Sequence, residues 1–66
     1  MTEDTKKRVF DVLKNALPMD LSIAETSRLA GVSEPTAAMY IRVLEAEGKI
    51  EFTRTVGRSK MFRLKI

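Results

Sequence analysis

Only three residues, Gly31-Val32-Ser33, separate two stretches that each carry their own helix start signal, and that brevity limits the fold more than any other feature of the chain. Ser22-Ile23-Ala24-Glu25 fits a capping box, in which the Ser hydroxyl and the Glu carboxylate satisfy amide N–H groups left open in a first helical turn. The helix predicted there carries Ile23, Ala24, Leu29 and Ala30. It closes at Gly31, a residue suited to the left-handed backbone of a helix end. Ser33 then caps a further helix, with Glu34 and Pro35 in its first turn, where a negative charge suits the terminus and a missing N–H costs little. This helix is predicted from about Glu34 to Glu47, with Ala37, Ile41 and Leu44 facing inward, Tyr40 or Val43 flanking them, and Gly48 ending it. So short a link suits two helices that cross.

The flanking segments have patterns of their own. Val9, Val12, Leu13, Ala16 and Leu17 recur at helical spacing with Lys6, Lys7, Asp11 and Lys14 between them, the apolar stripe of an earlier helix. Thr2, Asp4 and Thr5 are its candidate caps, and Pro18 biases Leu17 away from helical geometry, which predicts an end near Asn15 to Leu17. Met19 to Leu21 reads as an extended link able to add a short strand. After Gly48 the period changes to two: Ile50 and Phe52 alternate with Glu51 and Thr53, and Phe62, Leu64 and Ile66 alternate with Met61, Arg63 and Lys65. Thr55-Val56-Gly57-Arg58 is the turn between them. A hairpin from about Lys49 to Lys65 is marginal alone, so its apolar face is expected to lie on the helices.

A chain of 66 residues with 44% hydrophobic and 32% charged residues has room for one core. The expectation is a single α+β domain over 1–66, without the deep lined pocket of a metabolic enzyme. Cysteine and histidine are both absent, which removes disulfides, thiolate zinc sites and imidazole chemistry. Glu25 reads as a cap and Glu45 and Glu47 do not share a helix face, so no acidic catalytic pair forms. Neither catalysis, nor a cofactor, nor a metal site is expected. The opening MTEDTKKRVFDV is charged from its third position, and no later run approaches the ~18 apolar residues of a membrane span. No membrane partner is expected, and a cytoplasmic location is the default.

Charge is distributed unevenly. Up to Glu51 the chain has seven Lys/Arg and nine Asp/Glu, whereas from Phe52 onward there are five basic residues and no acid. A local surplus of that kind attracts polyanions. The segment SIAETSRLAGVSEPTAAMYIRVLEAEGKI, from Ser22 to Ile50, together with the hairpin behind it, resembles the winged helix-turn-helix family of bacterial and archaeal transcriptional regulators. The resemblance rests on Ala24-Glu25, Leu29, Gly31-Val32-Ser33, Thr36, Leu44-Glu45, Gly48 and Ile50 in order. Thr26 and Ser27 depart from it, standing where the family usually has Leu and Ala, as does Met39 where many members carry Arg.

The resemblance implies double-stranded DNA as partner. The helix 34–47 would lie in the major groove and the basic wing 50–65 on the phosphate backbone. The residues it implicates are Ser33, Glu34, Pro35, Thr36, Ala38, Met39 and Arg42 on the recognition helix, and Arg54, Arg58 and Lys60 on the wing. Arg58, beside the turn, and Arg54 are the preferred phosphate contacts. Lys60 and Arg63 differ in parity and cannot both face one surface without a bulge. Each residue has a structural alternative: capping for Ser33, a turn contact for Thr36, a partly buried or dimer contact for Met39, an ion pair with Glu45 for Arg42, and a solvated strand face for the wing cations. With one basic residue on the recognition face, base reading by several Arg–guanine contacts is not expected. A homodimer or a partner protein is expected to extend the footprint. The competing reading, from the same nearly uncharged face, is a protein-interaction module on the winged scaffold.

Overall fold

The capping box forms as its spacing predicts. In the computed structural model, which describes residues 2–65, Ser22 Oγ accepts the Glu25 amide at 3.1 Å and the Glu25 carboxylate accepts the Ser22 amide at 3.0 Å. The described elements run α1 (Thr2–Ala16), β1 (Leu21–Ser22), α2 (Ile23–Ala30), α3 (Glu34–Ala46), β2 (Ile50–Val56) and β3 (Ser59–Leu64). This α+β order, three helices and a hairpin with a short strand before α2, matches a winged helix-turn-helix-like topology. Gly31 closes α2 with φ 72° and donates its amide to the Arg28 carbonyl, and Ser33 caps α3 with Pro35 in the first turn. Helix α1 ends at Ala16, within the range Pro18 predicts, but it is already under way at Thr2. Asp4 and Thr5 therefore sit inside it and do not cap it.

The core joins Val9 and Leu13 of α1, Ala30 of α2, Tyr40, Ile41 and Leu44 of α3, and Ile50 and Phe62 of the hairpin. The helix phases of α1 and α3 agree with the apolar spacing; Tyr40 is buried among the inward residues while Val43 stays at the surface. Helix α2 differs from the sequence reading. Leu29, expected in the core, is 65% exposed, and Thr26 and Ser27 are buried. The capping box fixes the phase: Ile23, Thr26, Ser27 and Ala30 share one face, and Leu29 lies roughly 110° from its middle. The two hydroxyls tolerate burial because each bonds backward along the helix, Thr26 Oγ1 to the Ser22 carbonyl and Ser27 Oγ to the Ala24 carbonyl, both at 2.8 Å. Small inward residues on α2 leave the larger side chains of α1 and α3 to fill the core.

The three described strands form an antiparallel sheet in the order β1-β3-β2. Leu21 pairs with Phe62 and Ser22 with Met61, so the extended link does supply a third strand. In the hairpin, Ile50, Glu51 and Phe52 pair with Leu64, Arg63 and Phe62; the register then shifts, and Arg54, Thr55 and Val56 pair with Met61, Lys60 and Ser59. Thr53 is the extra residue of a β-bulge. Alternation along β3 is unbroken, placing Lys60 with Phe62 and Leu64, and Met61 with Arg63. Ile66, which the sequence reading assigned to the apolar face, lies outside the described residues. Gly57 has φ 60° and Arg58 has none of the positive-φ geometry, the combination of a type II′ turn. Phe52 meets Phe62 edge to face, with ring centroids 5.9 Å apart.

The bulge coincides with the principal polar cluster of the sheet. Asp20, just ahead of β1, accepts the Thr53 hydroxyl at 2.6 Å and two bonds from the Arg54 guanidinium, Nε to Oδ2 at 3.0 Å and Nη2 to Oδ1 at 3.3 Å. The Arg54 bond, then the Thr53 bond, hold the Asp20 carboxyl below its ordinary range. Lys6 likewise lowers Glu47, whose carboxylate it meets at 2.6 Å across the α1–α3 junction. On the outer sheet face Arg63 pairs with Glu51 at 3.0 Å, as their strand register dictates.

Two outcomes follow from this packing. Leu44→Ala should cost about 2–5 kcal/mol, because Leu44 is enclosed by α1, α3 and the hairpin, whereas Leu29→Ala should stay within about 0.5 kcal/mol. Denaturant melts of the two variants check this; equal costs would contradict the phase assigned to α2. The lowered Asp20 carboxyl contributes stability that is complete above about pH 4, the ordinary unfolded value, and is lost as pH falls through the folded one. Thermal melts of the parent and Asp20→Asn should therefore converge on acidification and separate at neutral pH. Parallel curves would show that the carboxylate adds nothing.

Candidate nucleic-acid interface

The first turns of α2 and α3 open toward the same side as the hairpin turn. Between them lies an open cleft of about 580 Å³, lined by Ser22, Ile23, Ala24, Glu34, Pro35, Ala38, Arg58, Ser59 and Lys60. Its position follows from local chemistry. The capping box starts α2 directly from β1, Ser33 and Pro35 start α3, and the two-residue turn at Gly57-Arg58 ends the hairpin opposite them. Lys60 shares the inner sheet face with Phe62. Where the helices no longer cover that face, it opens into the cleft.

Five of the ten residues singled out from sequence, Glu34, Pro35, Ala38, Arg58 and Lys60, line this cleft. The others are distributed around it. Ser33 is occupied in capping: its hydroxyl accepts the Thr36 amide at 3.3 Å and donates to Thr36 Oγ1 at 2.8 Å. Ala38 and Met39, adjacent in sequence, fall on different flanks of α3. At 3.6 residues per turn Ala38 and Glu45 face the hairpin, Met39 and Val43 lie on the flank away from it, and Arg42 stands outermost between the two. Met39 is half exposed and Arg42 is exposed, and Arg42 makes no ion pair with Glu45. Arg54 is turned by the bulge onto the outer sheet face, where it meets Asp20, which also holds its guanidinium more firmly in the charged form.

Electrostatics concentrate in the cleft by subtraction. Of the five hairpin cations, Arg54 and Arg63 are neutralised by Asp20 and Glu51, whereas Arg58, Lys60 and Lys65 form no ion pair among the described residues. Two of those three face the first turns of α2 and α3, whose aligned peptide dipoles add partial positive charge. Glu34 within the cleft and Glu45, which lines an adjoining pocket with Lys60, are the opposing acids. The arrangement suits an extended anion laid across the helix starts, touching Arg58 and Lys60 from the other side.

Ser22, Ile23, Ala24 and Ser59 also line the cleft without any sequence signal for that role. The capping box marked the first three as a helix start, but their position opposite the hairpin turn depends on the β1–β3 pairing. A second cationic patch was also not foreseen. Lys6, Lys7 and Lys49 surround Phe10 and Leu44 in a cleft of about 330 Å³ at the opposite end of the hairpin, with Glu47 between Lys6 and Lys49.

Among the described residues no group of three or more His, Cys, Asp or Glu side chains is placed to hold a metal ion, and no helix is long and apolar enough to cross a membrane. No protein-family model matches this chain and no curated protein sequence matches it, so its likeness to winged helix-turn-helix proteins stands on the order and arrangement of its elements.

Proposed function

We propose that the chain is a single winged helix-turn-helix domain, residues 1–66, that binds double-stranded DNA and regulates transcription without catalysing a reaction. The observation that carries this reading is the cleft in which Arg58 and Lys60 stand opposite the first turns of α2 and α3. A phosphate backbone crossing there meets two cations and two helix termini, while α3 lies alongside in the groove with Met39 and Arg42 outward and Ala38 on the flank toward the hairpin. Ala38 and Met39 offer apolar contact to thymine methyls, and Arg42 is the donor for guanine or phosphate. Most of the affinity then comes from phosphate contact, with modest sequence preference per site. A homodimer on a two-fold site supplies the rest. A cytoplasmic location goes with such a role.

The exposed Met39–Val43 strip and Glu34 at the head of α3 favour a second reading, a protein-interaction module on the same scaffold. The two readings separate in one titration against mixed-sequence duplex at several salt concentrations. DNA binding predicts a steep inverse dependence on salt; the interaction module predicts no binding at any salt. Within the first reading, Arg58→Gln should weaken all duplexes by a similar factor and reduce the salt slope by about one unit, leaving the fold intact because Arg58 sits at an exposed turn. An unchanged affinity and slope would remove the wing from the interface.

A further inference from the structure

Arg54 is the hairpin cation with the most elaborate set of partners, and none of them is a free surface. Continuing the pairing of Ile50–Leu64 and Phe52–Phe62 without interruption would set Thr53 against Met61, Arg54 against Lys60 and Thr55 against Ser59. The hairpin would then end in a three-residue loop, Val56-Gly57-Arg58, itself a common connection. In that register Arg54 would share the Phe62 face and lie directly across from another cation. The observed register inserts Thr53 as a bulge, turns Arg54 to the opposite face and leaves the two-residue turn.

Asp20 is bonded to the two residues at which the registers part. Its Oδ2 takes the Thr53 hydroxyl at 2.6 Å and Arg54 Nε at 3.0 Å, and its Oδ1 takes Arg54 Nη2 at 3.3 Å. Thr53 has a single hydroxyl proton, and the Met61 carbonyl at 3.3 Å is the weaker claimant for it. The Asp20 side chain is only 11% exposed, so it is held in this role. Because Asp20 precedes β1, the contact spans the sheet from one edge strand, across β3, to the other.

We infer that Asp20 is a positioning residue for the wing: by holding Thr53 and Arg54 it selects the bulged register, and so fixes where Arg58 and Lys60 stand against α3. Arg54 is then an anchor of the wing, tied to Asp20 on the outer sheet face, and not a phosphate contact. The consequence for binding rests on the DNA-binding reading above; the register itself does not.

The test uses the full chain, isotope-labelled, as parent, Asp20→Asn, Arg54→Gln and Thr53→Val. Cross-strand proton contacts report the register directly. In the parent, Arg54 should contact Met61. In Asp20→Asn that contact should weaken or average with an Arg54–Lys60 contact, and amides from Thr55 to Lys60 should exchange with solvent at least about tenfold faster as the wing opens locally. Thr53→Val and Arg54→Gln, milder changes to the same cluster, should shift both readouts in the same direction, so a poorly folded Asp20→Asn does not remove the test. Parent-like contacts and exchange in all three variants would overturn the inference.

Duplex titration adds an independent arm. Asp20→Asn and Arg54→Gln should each weaken binding by roughly three- to tenfold with an unchanged salt slope, since neither removes a phosphate contact. A slope reduced by about one unit in Arg54→Gln, or tighter binding in Asp20→Asn as its acid is lost and Arg54 freed, would overturn the anchor role. A parent that binds no duplex defeats the functional reading, and the register measurement then decides the inference alone.

Discussion

Ser22 belongs to two structures at once. As the second residue of β1 it pairs with Met61 in the central strand, and as the N-cap of α2 it exchanges hydrogen bonds with Glu25. No residue separates strand from helix, so the angle at which α2 leaves the sheet is set by one buried serine and its reciprocal cap. From that angle follow the crossing of α3 over α2, through the short Gly31-Val32-Ser33 link, and the placement of both helix starts opposite the hairpin turn. An N-cap contributes about 1 kcal/mol to stability in a typical helix. Here the same bonds also set the geometry of the cleft.

The second organising feature is the sorting of charge. A hairpin carrying five cations and no acid after Glu51 reads as uniformly basic, but folding pairs Arg63 with Glu51 on the outer face and Arg54 with Asp20 at the bulge. Exposed pairs such as Arg63 with Glu51 contribute little to stability. The effect of both pairings is spatial: of the three hairpin cations without an ion pair among the described residues, Arg58 and Lys60 stand together in the cleft, beside the two helix starts. For a domain of modest net charge, such focusing matters more than the total, because a polyanion responds to the local potential within about a Debye length, ~10 Å at 0.1 M salt.

Local signals were legible in the sequence and their consequences at a distance were not. The capping box, the Gly31 closure, the Ser33-Pro35 start of α3 and the change of period after Gly48 each act within a few residues, and each formed where the spacing put it. Leu29 shows the limit of reading apolar residues as buried. The phase of α2 is dictated by its cap, and two hydroxyl residues could take the inward positions once their own backbone carbonyls accepted them. Arg54 shows the limit of a strict period of two. One bulge residue reverses every later side chain on the strand, and the partner that stabilises the bulge, Asp20, lies more than thirty positions earlier. Five of the ten residues marked from the sequence therefore line one cleft, while Arg54 is turned to the other sheet face and Met39 to the other flank of α3 by features with no local signature.

The central claim is that a phosphate backbone lies in the cleft between the starts of α2 and α3 and the hairpin turn. Titrating the labelled chain with a short mixed-sequence duplex at low salt, and mapping amide chemical-shift changes, tests it most directly. The account predicts that the largest changes fall at Ile23 and Ala24, from Glu34 to Ala38, and from Gly57 to Lys60. Changes centred instead on Lys6, Lys7 and Lys49, or none at all, would contradict it.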